Sequence, residues 1–454
     1  MPIEVSVESL RIALARLGEH DLDAPGDVER ALEWIAVRDG PDAPLTIRRY
    51  DLQAFLWYRL PCKLLTSPEH KRAVAARLGR FFELVGGRAT EYARICTSEE
   101  TVQLLRTWHL EGPRAGRLLR EALRASGIEP PDTDALRWGA VMGPEEATIH
   151  DEVALELERA LEDRRLDPAA RGFGARRKQL VEELLRRRLP ELGGRAPLDL
   201  VAEERLEHWL RRGSEQRRGI VGPVEPLLRV PASLVNGDAG TLAPLAWLLD
   251  AAGEGIALTQ TGALNLSLVR AAVERFPEWW WGGSRGPPRS EGDVASLCET
   301  HALPRRMRAL RRRGRRLLLT RRGEELRGDC AALLRACAPH LIPGEGFEAA
   351  VGELAAAVLL RHETVDRDDL EAAVHAAIVA DGWNADGEPP DLRDVAWAAA
   401  APLRLAEALG LVGYESEFEP GVGFTKRDLT PTPAGHEALR LCLRARALAP
   451  ATLP

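Results

Sequence analysis

The sequence predicts a mainly α-helical fold, and three observations carry that expectation. Apolar residues recur at helical spacing almost everywhere before residue 225, Gly and Pro punctuate the periodic stretches, and short leucine-rich pieces interrupt the helices only in the second half. With 454 residues, 45% of them hydrophobic, the chain is long enough to bury a large core and to divide into several domains.

Each element follows from its own residues. The opening MPIEVSVESLRIALARLG reads as an amphipathic helix with acidic residues, unlike the basic start of a signal peptide. Asp51 is placed to cap a helix with Leu52, Phe55, Leu56 and Leu60 on one face; Ser67-Pro68-Glu69 opens another with Val74, Leu78, Phe81 and Val85, which Gly86-Gly87 ends. Thr97-Ser98-Glu99-Glu100 precedes Val102, Leu104 and Leu105 as a capping box, and a further helix is expected over residues 149–165. These faces predict a core around Phe55, Trp57, Leu78, Phe82, Leu104, Leu105 and Trp108. Breaks at Glu129-Pro130-Pro131, Gly193-Gly194 and Gly222-Pro223 suggest a helical domain over 1–130 and a helical connecting region over 131–225.

After residue 225 three pieces carry a leucine-threonine step: Leu258-Thr259-Gln260-Thr261-Gly262, Leu319-Thr320-Arg321-Arg322-Gly323, and Leu429-Thr430-Pro431-Thr432-Pro433-Ala434-Gly435. In each, a short strand is expected to hand its last Thr to the N-cap of a following helix. Two of the pieces close the same longer order of helix, strand, glycine-bearing turn, strand and helix. In the first, residues 290–302 form the helix, and 306–310 and 315–320 form strands around Arg311-Arg312-Arg313-Gly314, where Gly314 supplies the positive φ of a hairpin turn. In the second, residues 395–409 form the helix, Gly410 ends it, and 411–419 and 424–430 form strands around Pro420-Gly421-Val422-Gly423. The rival for the first is a continuous helix from Pro304 to Arg313, since arginine is a good helix former. The order predicts two winged-helix modules, over 226–342 with a basic wing and over 343–454 with an acidic one.

IALTQTGALNLSLVRAAVERF, the tryptophan-bearing linker after it and RRLLLTRRGEEL together resemble the C-terminal half of uncharacterised actinobacterial proteins related to plasmid-borne open reading frames. The resemblance spans roughly residues 240–335, with a fainter echo at Asp51–Leu65 and Trp138-Gly139. It implies winged-helix architecture and brings no substrate.

Charge supplies the functional expectation. Residues 301–330 hold eleven arginines against Glu324, Glu325 and Asp329, a local +8, so with a total of -7 the rest of the chain carries -15. Planar guanidinium groups pair bidentately with phosphate oxygens, and a hairpin projecting them suits a DNA backbone or minor groove. Arg306, Arg308, Arg311, Arg312, Arg313, Arg315, Arg316, Arg321 and Arg322 are the expected contacts. In the second wing Glu415, Glu417, Glu419 and Asp428 outweigh Lys426 and Arg427, which repels phosphate and points to a protein partner or a second copy of the chain.

The other candidates read as structural. Trp279-Trp280-Trp281 is expected to staple a linker onto the core rather than stack on bases, and Glu146/His150 and Glu371/His375 are expected to be surface pairs. Gly172-Phe173-Gly174 lacks the strand and third glycine of a phosphate loop, while Arg176, Arg177, Lys178 and Arg186 to Arg188 read as a solvated face. Six scattered cysteines without ligand spacing point to reduced thiols, and no apolar run reaches the roughly 18 residues of a membrane span. Together these lead us to expect a cytoplasmic DNA-binding protein, regulatory or associated with a mobile element, with no membrane contact, metal or cofactor. A protein-interaction scaffold with degenerate winged helices is the alternative, and an enzyme the third.

Overall fold

A computed structural model of the chain describes residues 2–38, 40, 43–230, 241–280, 286–342, 344–384, 387–419 and 423–451. The fold is mainly helical and divides into two compact units. One runs to Glu204 and takes in Pro450 and Ala451; the other spans Arg205–Ala449.

The first unit opens with a strand rather than the expected helix. β1 (Ile3–Val5) precedes α1 (Val7–Gly18), whose N-cap Ser6 accepts from the Ser9 N–H at 3.1 Å. α2 (Ala24–Ile35) leads into β2 (Ala36–Val37), and β3 (Leu45–Ile47) lies between β1 and β2, antiparallel to both. Three-residue strands carry too little alternation to compete with the helical pattern that follows them. α3 (Arg49–Ala54) starts before Asp51, which pairs with Arg48 instead of capping. Its first N–H groups are held by Glu158, a buried carboxylate that accepts from the Arg49 and Tyr50 amides at 3.1 and 3.4 Å.

α4 (Pro68–Val85) has Ser67 as its N-cap and ends at Gly86, as expected, and is followed by α5 (Ala89–Cys96) and α6 (Glu99–Leu110). Ser98 caps α6 through the Thr101 N–H. Phe55, Trp57, Leu78, Phe82, Leu104 and Leu105 lie in one buried cluster and Trp108 packs against it, so the core read from periodicity is present. α7 (Gly112–Ser126), α8 (Pro144–Glu162) and α9 (Phe173–Arg186) complete this unit, and α10 (Pro197–Arg211) runs from it into the next.

The second unit is built on one order of elements used twice. After α11 (Glu215–Val221) come α12 (Ala243–Gly253), β4 (Ile256–Ala257), α13 (Leu266–Arg275), α14 (Ala295–Arg306), β5 (Leu310–Arg313), β6 (Arg316–Leu319), α15 (Arg321–Leu326) and α16 (Cys330–Cys337). Then α17 (Phe347–Arg361), β7 (Val365–Asp366), α18 (Arg367–Ala380), α19 (Leu392–Ala408), β8 (Val412–Glu419), β9 (Gly423–Pro431) and α20 (Pro433–Ala447) repeat it. Both sheets place the hairpin's second strand centrally, in the orders β4-β6-β5 and β7-β9-β8. α14 packs against α19, and one continuous apolar core serves both repeats.

A buried ion cluster fixes the second repeat. Glu353 on α17 is 3% exposed and accepts from Trp209 Nε1 at 3.1 Å, Arg212 Nη2 at 2.6 Å and Arg446 Nε at 2.8 Å. Removing that carboxylate would leave guanidinium groups uncompensated, a loss of about 3–5 kcal/mol in comparable buried pairs.

Candidate nucleic-acid interface

The arginine run is divided between a helix end and a hairpin. α14 continues to Arg306 because Leu303 and Met307 are buried on its inner face, and Pro304 is accommodated inside it. The helix stops in a closed turn: the Ala309 N–H reaches the Pro304 carbonyl at 2.8 Å, the Arg308 N–H reaches that of Arg305 at 3.1 Å, and Arg308 has φ of +57°. The first strand therefore starts at Leu310, four residues later than the sequence suggests, and the continuous helix to Arg313 does not form.

The hairpin is antiparallel with Leu310 opposite Leu319, Arg311 opposite Leu318, Arg312 opposite Leu317 and Arg313 opposite Arg316. Its turn is the two residues Gly314-Arg315, with Gly314 at φ +62°. Thr320 then closes the unit: its Oγ1 donates to the Arg308 carbonyl at 2.8 Å and accepts from the Gly323 N–H at 3.1 Å, making it the N-cap of α15.

Thr432 does the same in the second repeat, with its Oγ1 donating to the Gly410 carbonyl at 3.1 Å and accepting from the Gly435 N–H at 3.0 Å. The first leucine-threonine step behaves differently. Thr259 accepts from the Ala263 N–H in a closed loop, and the helix after it is capped by Asn265.

The nine expected contact residues occupy different environments. Arg311, Arg313 and Arg315 on the hairpin, Arg308 at its root and Arg322 on α15 are exposed, and none makes a side-chain hydrogen bond or ion pair among the described residues. Arg312 is held in the turn, its Nε donating to the Gly314 carbonyl at 2.9 Å. Arg316 is turned onto the end of α12, donating to the Glu254 carbonyl at 2.6 Å. Arg321 pairs with Glu325 at 3.0 Å. Arg306 lies half-buried, with Nε and Nη2 enclosed and without partners; burial pushes its pKa down, with only the charge of Glu299 opposing. His340 lies in the short turn Ala338–His340; its pKa is lowered by burial and by the charges of Arg306 and Arg322.

No protein-family model, curated protein or solved structure matches the chain.

The remaining candidates resolve as packing, with two corrections. Trp279 is buried and stacks on Phe276 at 4.8 Å, Trp280 packs against the same core, and Trp281 lies outside the described residues, as do Pro420, Gly421 and Val422 of the second turn. Glu146 and His150 are not a surface pair: both are buried, Glu146 accepting from the Gly139 N–H at 2.9 Å and His150 lying between Tyr50 and Trp138. Glu371 and His375 also separate, Glu371 to Arg367 at 2.7 Å and His375 to the Pro390 carbonyl at 3.0 Å.

In the arginine-rich α9 region, Arg176, Lys178, Arg186, Arg187 and Arg188 are exposed while Arg177 packs over the Phe173 ring. No group of three or more metal-ligating side chains with suitable placement occurs among the described residues, and none of their helices is long and apolar enough to cross a membrane.

Proposed function

We propose that this chain binds duplex DNA through the β5–β6 hairpin, and that its two repeats are winged-helix modules. The observation that carries the reading is the set of five exposed arginines, Arg308, Arg311, Arg313, Arg315 and Arg322, which have no counter-charge among the described residues. Arg313 also faces Arg316 directly across the sheet, an arrangement that works against pairing unless an anion lies over it. The repeated order of helix, strand, two helices and hairpin supports the modular reading.

The packing favours one mode of contact. α14 is the helix that a winged-helix protein would lay into a groove, yet its only exposed residues are Ala295 and Arg305. Contact through the hairpin is therefore contact with phosphates, which positions a protein on duplex without reading its bases. Fluorescence anisotropy of the full chain with a random-sequence duplex should give a log affinity that falls with log salt at a slope of about -4 to -5, the mark of four to six neutralised phosphates. A slope near zero, or no binding, overturns the reading.

A second reading rests on a different surface. Trp397 is 72% exposed and Leu392 46% exposed on α19, an apolar pair suited to a protein partner. A chain that ignores duplex at every salt concentration supports that scaffold role.

A further inference from the structure

We infer that the acidic sheet of one chain, built from β7, β9 and β8, takes the arginine hairpin β5–β6 of a second copy of the chain. The inference goes beyond the DNA-binding reading: it assigns the acidic sheet, which that reading leaves without a role, and gives the hairpin a second occupant.

The strand register supplies the acidic half. Glu415 on β8 lies directly opposite Asp428 on β9, and Asp428 lies directly opposite Asp366 on β7, so three carboxylates form one row across one face of the sheet. Glu417, two residues along β8, extends that face, and both Glu415 and Glu417 are exposed. Neighbouring residues of a strand point to opposite faces, and Arg427 is accordingly turned away from the row to pair with Asp368 on α18. Residues 364–371 and 412–431 together hold eight acidic side chains against Arg367, Lys426 and Arg427, a net of 3 - 8 = -5. Like charges in one row repel, and cations laid across them offset that repulsion.

The basic half has the opposite sign on the same backbone plan. The corresponding row runs through Arg313, Arg316 and Ala257, and residues 308–322 hold eight arginines with no acidic residue, a net of +8. Arg311, Arg313 and Arg315 are exposed and make no side-chain hydrogen bond or ion pair among the described residues, so the acidic sheet of their own chain does not neutralise them. A second copy can. β5 and β8 are also the outer strands of their sheets, which leaves each open to a neighbouring chain along its length. Surfaces of opposite potential on one chain favour association of copies over contact between like surfaces.

The test is sedimentation velocity of the full chain without nucleic acid. It compares about 0.01 M salt, where charges act over about 30 Å, with about 1 M, where they act over about 3 Å. The parent should associate with rising concentration at the lower salt and sediment as single copies at the higher. Glu415→Lys combined with Glu417→Lys, and separately Arg311→Glu combined with Arg313→Glu, should each weaken association at least about tenfold, because exposed attractions become repulsions. The two variants mixed should associate again, since one then carries two acidic surfaces and the other two basic ones.

A parent that stays single at the lower salt overturns the proposal. Association that either pair of reversals leaves unchanged overturns it too, as does a mixture that stays dissociated. Should the β8 variant fail to fold by circular dichroism, the Arg311→Glu and Arg313→Glu variant decides alone. With no nucleic acid present, none of these outcomes bears on the DNA-binding reading, which the anisotropy titration tests separately.

Discussion

Where the β5–β6 hairpin sets Arg316 directly across from Arg313, the β8–β9 hairpin sets Asp428 directly across from Glu415. The positions correspond. Leu317 and Leu429 are the fully buried centres of their sheets, each paired with the short strand that precedes it, Ile256 in one case and Val365 in the other. Counting one residue back from each leucine gives Arg316 and Asp428. One backbone plan therefore carries opposite charges at the same places. Like charges directly opposed on a sheet cost roughly 0.2–1 kcal/mol, so the plan itself does not require either set. On the proposed DNA-binding reading, the charge difference reflects what each hairpin meets.

The largest expected effect tests that explanation through binding. Replacing Arg311, Arg313 and Arg315 by alanine removes three exposed, unpartnered charges and leaves Arg312 and Arg316 in their structural bonds. The magnitude of the salt slope should fall by about 2.7, and duplex affinity should drop about 500-fold at 0.1 M salt. Replacing Glu415 and Glu417 by alanine should leave duplex affinity level or slightly higher. Anisotropy titrations of the two variants side by side check this, and equal losses from both hairpins would break the comparison.

The next effect concerns the shared plan. Gly323 and Gly435 lie where α15 and α20 pass the carbonyls of Ala309 and Leu411, and a methyl at either glycine would overlap the carbonyl oxygen. Backbone cannot yield as a flexible side chain does. Alanine at either position should therefore destabilise the second unit by about 2–3 kcal/mol, read as a shift in the urea midpoint. Similar costs at the two sites would sharpen the correspondence; a cost at only one would show that the repeats differ in tightness as well as charge.

These features were unequally legible in the sequence. Gly314 between an arginine run and Leu317-Leu318-Leu319 announced a hairpin, and Thr320 and Thr432 announced the caps that close both repeats. The start of β5 was misplaced because the identity of Arg306 fits helix and strand equally well. The burial of Leu303 and Met307 decides for helix, and burial is a tertiary fact. The strands Ile3–Val5 and Leu45–Ile47 were too short to show a period. Glu146 and His150 have the spacing of a surface pair, but the packing of α8 buries both. At the candidate interface, the arginines were visible as a group. Which of them are occupied by the fold was not, because Arg312 and Arg316 bond to carbonyls that only the closed turn and the end of α12 bring near.

The smallest expected effect sits where the two helices end. Gly410 closes α19 at φ +68°, with the Leu411 N–H bonded to the Ala406 carbonyl at 2.8 Å, and Arg308 closes α14 in the same bond pattern at φ +57°. Left-handed backbone costs an ordinary L-residue about 1–2 kcal/mol, a cost glycine does not carry. Glycine also gives the unfolded chain more freedom, which offsets about 0.4–1 kcal/mol of that advantage. Arg308→Gly should therefore stabilise the second unit by about 0.5 kcal/mol net, while Gly410→Ala should destabilise it. If Arg308 also contacts phosphate, the same Arg308→Gly variant should bind duplex with a salt slope smaller in magnitude by about 0.9. Greater stability with weaker binding would mean that the first repeat keeps an arginine in a conformation suited to glycine because its charge is used. A variant that is more stable and binds unchanged would place Arg308 outside the interface and confine the contacts to the hairpin beyond it.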